Sequence, residues 1–173
     1  MKLVLLGYMG SGKSSVGQRL ADVLNYPFKD LDSEIEKREG QQIPSLFDDK
    51  GEIYFRRKES EVLAELLADE EKVVLALGGG TPCYANNMDL ILEQDGTQAV
   101  YLNASLDSLV NRLFEDRHTR PLISHLEDQE SLKDFVRKHL FERTHHYLRA
   151  DHVVDVSNIE IREVVEEIIL KLF

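Results

Sequence analysis

Five short apolar runs divide the chain, and each is typical of a strand buried in the middle of a sheet. A strand covered by helices on both faces is continuously hydrophobic rather than alternating. Helical patterns separate the runs, and this alternation predicts an α/β fold with a parallel sheet between helices. The five runs are Lys2–Leu6, Pro27–Asp30, Val73–Leu77, Gln98–Leu102 and His152–Val156.

The clearest helical pattern ends the chain, where apolar residues recur at the i, i+3, i+4, i+7 spacing of one buried face. In a parallel sheet of this kind ligands bind beyond the carboxyl ends of the strands, so the loops there should hold the chemistry. The segment Arg117–Ser124 interrupts the helical pattern with Pro121 and clustered charge, and we expect a mobile flap. The apolar positions of the last helix are Ile161, Val164, Val165, Ile168, Ile169 and Leu172.

Composition narrows the class of protein. The 173 residues, 42% of them apolar and 31% charged, suit one folded domain. Cys83 has no second cysteine to pair with, and Leu3–Leu6 is too short for a signal-peptide core or a membrane span, so we expect a cytoplasmic protein. A net charge of −11 disfavours nucleic-acid and membrane partners, and an anionic ligand would need a local basic pocket.

The strongest motif follows the first predicted strand. Residues Gly7–Ser14 read GYMGSGKS, which matches the phosphate-binding pattern G-x-x-x-x-G-K-[ST] between a strand and a helix. Its glycines let backbone N–H groups approach phosphate oxygens. Lys13 would reach the β- and γ-phosphates, and the Ser14 hydroxyl would bind Mg²⁺. The predicted nucleotide-binding residues of the loop are Gly10, Ser11, Gly12, Lys13, Ser14 and Ser15.

An acidic pair follows the second predicted strand. The third run ends in glycines without an Asp, so a metal-binding carboxylate must come from elsewhere. Alternation along an extended chain would point Asp30 and Asp32 to the same side. We assign Asp30 to the Mg²⁺ shell and Asp32 to the acceptor hydroxyl, as orienting group or general base. On spacing alone, the start of a helix explains the pair equally well.

Three glycines and four arginines are further candidates. Gly78, Gly79 and Gly80 form either a loose turn or a place where a small substrate rests against the backbone. Taken singly, most arginines form solvent-facing ion pairs of little energetic value. The arginines in question are Arg56, Arg57, Arg120 and Arg143.

Together these motifs resemble the shikimate kinase family along essentially the whole chain. The family's order is a phosphate loop, Asp-x-Asp, Gly-Glu followed shortly by Phe-Arg, Gly-Gly-Gly, Arg-Pro-Leu, and an Arg four residues before a Tyr. All six motifs occur here in that order, at residues 7–14, 30–32, 51–56, 78–80, 120–122 and 143–147.

The resemblance implies the fold of nucleoside monophosphate kinases, a P-loop α/β fold with a five-stranded parallel sheet. It implies one domain over residues 1–173, with a substrate-binding helical region at about 31–60 and a lid at about 114–126. By the same resemblance Asp32 and the loop Gly78–Gly80 would bind shikimate hydroxyls, while Arg56 and Arg143 would hold its carboxylate through planar guanidinium groups.

The resemblance also assigns roles around the nucleotide. Arg120 matches the lid arginine that meets the developing charge of the transferred phosphoryl group. Arg112 is the candidate for stacking on adenine, with Arg117 as the other candidate, because the spacing from Arg112 to Arg120 is one residue longer than in the family. Phe47 and Phe55 match positions that wall the substrate pocket, although core packing is an equally ordinary role for them.

The resemblance implies an ATP-dependent kinase, with Mg²⁺, that phosphorylates the 3-hydroxyl of shikimate in chorismate and aromatic amino-acid biosynthesis. Catalysis would rest on Lys13, Asp32 and Arg120, mainly through positioning and electrostatics. We expect a monomer acting on small molecules. The alternatives are another small-acceptor kinase, such as a gluconate kinase, and a nucleotide-dependent switch that reports to a protein partner.

Overall fold

The predicted strands form one five-stranded sheet in a computed structural model that describes residues 1–173. The strand order is β2-β3-β1-β4-β5, and every neighbouring pair is parallel. The ends of the strands differ from the predicted ones by one residue at most, which confirms the parallel α/β fold. The strands are β1 Lys2–Leu6, β2 Phe28–Asp30, β3 Val73–Ala76, β4 Thr97–Asn103 and β5 His152–Asp155.

Seven helices connect and cover the strands. Helix α1 packs against α7, and α5 packs against α6. The longest, α3, is broken at Gly51, whose φ of 81° lies in the left-handed region that other residues rarely adopt. The helices are α1 Lys13–Leu24, α2 Leu31–Glu39, α3 Ile43–Asp69, α4 Asn87–Glu93, α5 Leu106–Asp116, α6 Gln129–Tyr147 and α7 Ile161–Leu172, with short 3₁₀ turns at Thr81–Cys83 and Arg117–Thr119.

The core is a single cluster of 38 buried apolar residues from the sheet and the helices around it. Val164, Val165 and Ile168 of α7 are buried in it, as the spacing of apolar residues predicts. No helix of the chain is both long enough and apolar enough to cross a membrane.

The sheet order brings the candidate loops to one edge. Strand β1 lies between β3 and β4, so the chain leaves the carboxyl end of β1 at the point where the strand order reverses. Open α/β sheets bind ligands at such a reversal. The loops that follow β1, β2 and β3 therefore share this edge, and they carry the phosphate motif, the acidic pair and the three glycines.

Gly17 allows α1 to lie close to the sheet. A Cβ atom at this position would come within 2.6 Å of the Phe28 ring and 3.1 Å of a Leu5 methyl group. Leu5 is fully buried and the half-buried Phe28 packs against the core, so both have little room to move.

We expect Gly17→Ala to destabilise the protein by about 1–3 kcal/mol, because the added methyl group overpacks this contact. Urea unfolding of the variant and the native chain measures the difference. Gln18→Ala, at the next and exposed position of α1, is the control and should change the free energy of unfolding by less than about 0.5 kcal/mol. Equal stability of Gly17→Ala and the native chain would contradict the close packing.

Candidate active site

The loop between β1 and α1 has the form of an anion-binding cradle. Gly10 and Gly12 have φ angles of 80° and 90°, which turn the backbone toward the start of α1. No side chain caps the first turn of this helix. The backbone N–H groups there, together with the positive end of the helix dipole, are therefore available to an anion such as a phosphate.

Lys13 lies across the mouth of this loop. Its Nζ donates hydrogen bonds to the carbonyl oxygens of Gly7 at 2.8 Å and Tyr8 at 3.0 Å. Burial lowers the pKa of Lys13 to about 8, while the carboxylates of Asp32 and Asp30 act to raise it. The two carboxylates do not fully offset the effect of burial on the Lys13 ammonium. A bound phosphate group would add negative charge beside it and so raise the pKa of Lys13.

Asp30 ends β2 and starts α2. Its Oδ1 accepts a hydrogen bond from the Ser33 backbone N–H at 3.2 Å, and its Oδ2 accepts one from the Ser14 hydroxyl at 3.1 Å. The strand does not continue to Asp32, which lies in the first turn of α2. The prediction that strand alternation aligns the two side chains is therefore wrong, because the cap made by Asp30 starts the helix there. Both carboxylates nevertheless line the same cavity.

Asp32 is a carboxylate in an unfavourable place for a negative charge. Burial raises its pKa to about 6; the charges of Asp30 and Glu59 add to the rise, and Lys13 opposes it. Gly78 makes room for this side chain, since a Cβ atom there would lie 2.9 Å from Asp32 Oδ1. A carboxylate with a pKa near neutrality is suited to orienting a hydroxyl or accepting its proton.

The other two glycines of the loop also stand where neighbouring groups come close. A Cβ atom at Gly79 would lie 3.3 Å from the Met9 backbone nitrogen of the phosphate loop. One at Gly80 would lie 3.0 Å from Arg56 Nη2. The loop is therefore more than a loose turn, and the groups that approach it in the structure belong to the protein.

Arg56 is held in a defined position. Its Nη1 donates to Glu59 Oε2 at 2.9 Å, and its guanidinium lies 3.8 Å from the centroid of the Tyr84 ring. Glu59 is only 1% exposed and also accepts a hydrogen bond from the Thr81 hydroxyl at 2.7 Å. The centroid of the Phe55 ring lies 5.1 Å from the same guanidinium.

Sequence reasoning missed Glu59 and Tyr84. The signal for Glu59 was an acidic residue on an apolar helix face, between Phe55 and Val62. A buried carboxylate needs a partner, and Arg56 lies one helical turn before it. For Tyr84 the local sequence offers no signal, because its ring meets Arg56 only through the fold.

Arg143 of α6 lies near the same loop as Arg56, which belongs to α3. Its guanidinium lies 5.9 Å from the centroid of the Tyr8 ring. Burial raises the pKa of the Cys83 thiol, and the charges of Arg143 and Arg56 both act against that rise. The two guanidinium groups, 87 positions apart in sequence, thus converge beside the loop that follows β3.

Most of the predicted site residues line one cavity of about 460 Å³ at the carboxyl edge of the sheet. Arg56, Arg143, Gly80 and Ser11 lie outside its lining, although Arg56 and Arg143 border the loop that continues from it. The predicted residues that line it are Gly10, Gly12, Lys13, Ser14, Ser15, Asp30, Asp32, Gly78, Gly79, Arg112 and Arg120.

The two candidates for stacking on adenine occupy different places. Arg112 donates to the Gly10 carbonyl oxygen at 3.2 Å and to the Val156 carbonyl oxygen at 2.8 Å, so it lies against the phosphate loop. It also borders a groove lined by Val156 and Ile159. Arg117 instead donates to the Phe114 carbonyl oxygen and lies over the Phe114 ring.

The predicted flap, Arg117–Ser124, directly follows α5 and begins with the 3₁₀ turn Arg117–Thr119, while the first three residues of the lid predicted at about 114–126 still belong to α5. Arg120 lines the cavity, and its buried Nε has no hydrogen-bond partner. Ile123 is fully buried and anchors the segment to the core, while Leu122 is 63% exposed. The segment therefore places the Arg120 guanidinium at the cavity, while the Ile123 side chain attaches it to the core.

Comparison with known proteins gives a consistent result. The family model for shikimate kinase matches residues 9–173. A shikimate kinase of Flavobacterium johnsoniae is 49% identical over 168 residues, covering 97% of this chain and 96% of the relative. The crystal structure of a shikimate kinase from Bacteroides thetaiotaomicron superimposes with a TM-score of 0.91 at 32% identity, covering 99% of this chain and 98% of that one.

A shikimate kinase from Acinetobacter baumannii, solved in complex with shikimate, has a TM-score of 0.87 at 31% identity and covers 99% of this chain and 92% of that one. A gluconokinase from Sinorhizobium meliloti, covering 99% of this chain and 90% of that one, is only 21% identical with a TM-score of 0.53, and this likeness indicates a shared fold alone. The matched model and the curated relative both span nearly the whole chain, so the chain belongs to the shikimate kinase family.

Proposed function

We propose that this chain transfers the γ-phosphoryl group of ATP to the 3-hydroxyl of shikimate, giving shikimate 3-phosphate and ADP in the biosynthesis of chorismate and aromatic amino acids. The observation that carries the proposal is the arrangement of the site. A phosphate cradle with Lys13 shares one cavity with Asp32, and Arg56 and Arg143 converge just beyond it. This arrangement suits an acceptor that has both a hydroxyl and a carboxylate.

The nucleotide would lie with its phosphates on the N–H groups at the start of α1 and its base near Arg112. Hydrogen bonding between Ser14 and Asp30 already places a hydroxyl and a carboxylate oxygen side by side, and such ligands suit Mg²⁺. The ion, bound with ATP, would offset phosphate charge. In this arrangement Ser14 and Asp30 would hold the metal, and the backbone of Gly10–Ser15 would hold the phosphates.

The acceptor would sit between Asp32 and the two arginines. Asp32 orients the attacking hydroxyl or accepts its proton, and Gly78 and Gly80 leave room for the Asp32 and Arg56 side chains that would contact the acceptor. Arg56 is aligned by Glu59 and Tyr84, so its planar group needs little reorganisation when it meets a carboxylate. Arg143 supplies the second guanidinium.

We assign the segment 114–126 to a lid and the region 31–60 to acceptor binding within one domain. Arg120 would follow the lid onto the transferred phosphoryl group, where a cation stabilises the charge that develops. Its buried and unpartnered Nε supports this role, since a donor without a partner in the protein is available to a phosphate oxygen.

Asp32→Asn should lower kcat for shikimate by about 10²-fold or more, because it keeps the shape of the side chain but cannot orient or deprotonate the hydroxyl as a carboxylate does. In the native enzyme kcat/KM should fall as the pH drops below about 6, where the carboxylate takes up a proton. The variant should lose this step in its pH profile, and rate measurements between pH 5 and pH 8 test both statements.

The same substitution should stabilise the fold. The pKa of Asp32 is raised on folding, so its charge destabilises the folded state at neutral pH, and this cost fades as the pH falls through about 6. Removing the charge should therefore raise the free energy of unfolding at pH 7, by about 3 kcal/mol at most. If Asp32→Asn were both fully active and less stable than the native chain, the assignment of Asp32 would be wrong.

A gluconate kinase would use the same cradle and could also employ two arginines on a carboxylate. An ADP-release assay with shikimate, gluconate and a nucleoside monophosphate as acceptors separates these activities. We expect kcat/KM for shikimate to exceed that for the other acceptors by about 10³-fold or more, because the site must match the acceptor in the transition state. A nucleotide switch would instead hydrolyse ATP slowly, at a rate that no acceptor changes.

A further inference from the structure

The inner face of α6 is attached to the site loops at two points. His139, Arg143 and Tyr147 follow one another at four-residue intervals, so they share one face of the helix. His139 Nδ1 lies 3.1 Å from the hydroxyl of Tyr8 in the phosphate loop. The Tyr147 hydroxyl donates to the Gly79 carbonyl oxygen at 2.6 Å. Arg143 is thus placed midway between the two attachments.

Both the hydroxyl and the ring of Tyr8 contact this face of α6. It is 1% exposed, and its ring contacts His139 edge to face, with 6.1 Å between the centroids and 71° between the planes. The guanidinium of Arg143 lies over the same ring, at a distance that suits a cation–π contact. Phe135 packs on the His139 ring with 4.3 Å between centroids, so the imidazole is held from both sides.

The charge states of the two groups allow Tyr8 to be the donor of this hydrogen bond. Burial and the charge of Arg143 lower the pKa of His139, which favours the neutral imidazole. Burial raises the pKa of Tyr8, so its hydroxyl keeps the proton. With the imidazole proton on Nε2, Nδ1 accepts from the Tyr8 hydroxyl. The hydroxyl of a buried tyrosine and the ring nitrogen of a half-buried histidine thus satisfy each other.

We propose that Tyr8 and His139 are positioning residues for acceptor binding, acting through Arg143. Their hydrogen bond fixes the Tyr8 ring against α6 and so fixes the surface over which the guanidinium lies. Holding a guanidinium in place reduces the ordering that the acceptor carboxylate must otherwise impose on binding. This inference rests on the proposed function, since it takes the carboxylate of the acceptor as the partner of Arg143.

Tyr8→Phe keeps the ring and removes only the hydroxyl. We expect KM for shikimate to rise by about 3- to 10-fold, the effect of one buried hydrogen bond. The KM for ATP should rise less, because the Tyr8 carbonyl oxygen that accepts from Lys13 belongs to the backbone and is retained. Tyr101→Phe is the matched control: it removes another tyrosine hydroxyl, which donates to Asn103 at 3.1 Å, and keeps the ring that packs on Tyr147, so the α6 face should stay in place.

Variants of His139 separate positioning from general packing. His139→Leu should raise KM for shikimate as Tyr8→Phe does, and the double variant should be little worse than either single one, because the two residues act as one unit. His139→Asn offers an amide near the place of Nδ1 and should recover part of the loss. Turnover of a shikimate analogue with an uncharged amide in place of the carboxylate should be much less affected by Tyr8→Phe, by His139→Leu and by the double variant.

Additive effects in the double variant, or equal losses for the acid and the amide, would overturn the inference. So would an unchanged KM for shikimate in Tyr8→Phe. Each of these results presupposes that the native chain phosphorylates shikimate. Absence of that turnover in the native chain would instead overturn the proposed function.

Discussion

Lys13→Ala lowers turnover of ATP with shikimate by about 10³-fold or more, because the ammonium meets charge that builds up on the transferred phosphoryl group. Nucleotide binding should weaken far less, since the backbone N–H groups of the loop remain. Steady-state rates give the first quantity, and a fluorescent nucleotide titration gives the second.

Thermal unfolding of the variant distinguishes a loss of catalysis from a loss of the fold. Burial lowers the pKa of Lys13 to about 8, so at pH 7 the folded state bears a cost for keeping the side chain charged. Lys13→Ala removes this cost together with the two hydrogen bonds from Nζ to the Gly7 and Tyr8 carbonyl oxygens, so we expect only a small change in Tm. Lys37→Ala, at an exposed position of α2, is the control and should keep native rates. A kcat within tenfold of the native value in Lys13→Ala would contradict the role of the phosphate loop.

Arg143→Ala lowers kcat/KM for shikimate by about 30- to several-thousand-fold, the range expected when one desolvated, charge-assisted contact is lost. Arg143→Lys keeps the charge but not the planar two-point fork, so its loss should be intermediate. The Kd for ATP should change little in either variant. The comparison that isolates the contact uses the amide analogue of shikimate, which should be a poor substrate for the native enzyme and be little affected by the mutation.

Arg143 is a better target for this test than Arg56. Replacing Arg56 by Ala would leave the 1% exposed carboxylate of Glu59 without its ion-pair partner, and that alone destabilises a protein. Arg143 forms no ion pair in the structure, so its removal leaves no buried acid behind. Arg56→Lys, which keeps a cation near Glu59, is the companion variant. Equal losses for acid and amide in Arg143→Ala would mean that the residue is structural.

The strands and the phosphate loop could be predicted from the sequence because their signals are local. A run such as Val73–Leu77 is buried on both faces and carries no polar position, and the loop motif lies in one stretch between a strand and a helix. The start of α2 was predicted less well. Asp30 satisfies the Ser33 N–H and so ends the strand, whereas strand alternation would carry it on to Asp32.

The remaining features depend on contacts between distant parts of the chain. Tyr8 and His139 are 131 positions apart, and no spacing rule relates a phosphate loop to a histidine on a late helix. Which of Arg112 and Arg117 lies near the phosphate loop also depends on contacts that the local sequence does not specify. Helix α5 continues to Asp116, and this places Arg112 against the Gly10 carbonyl oxygen while Arg117 stays with Phe114.

The most direct test of the account is to identify the product. Purified protein is incubated with ATP, Mg²⁺ and shikimate, and the mixture is followed by phosphorus and proton NMR. We expect one ADP for each new phosphate monoester, with the ester on the 3-hydroxyl of shikimate, and formation of this product slowed by about 10³-fold or more in Lys13→Ala. Release of ADP without phosphorylated shikimate, or faster phosphorylation of gluconate than of shikimate, would contradict the account.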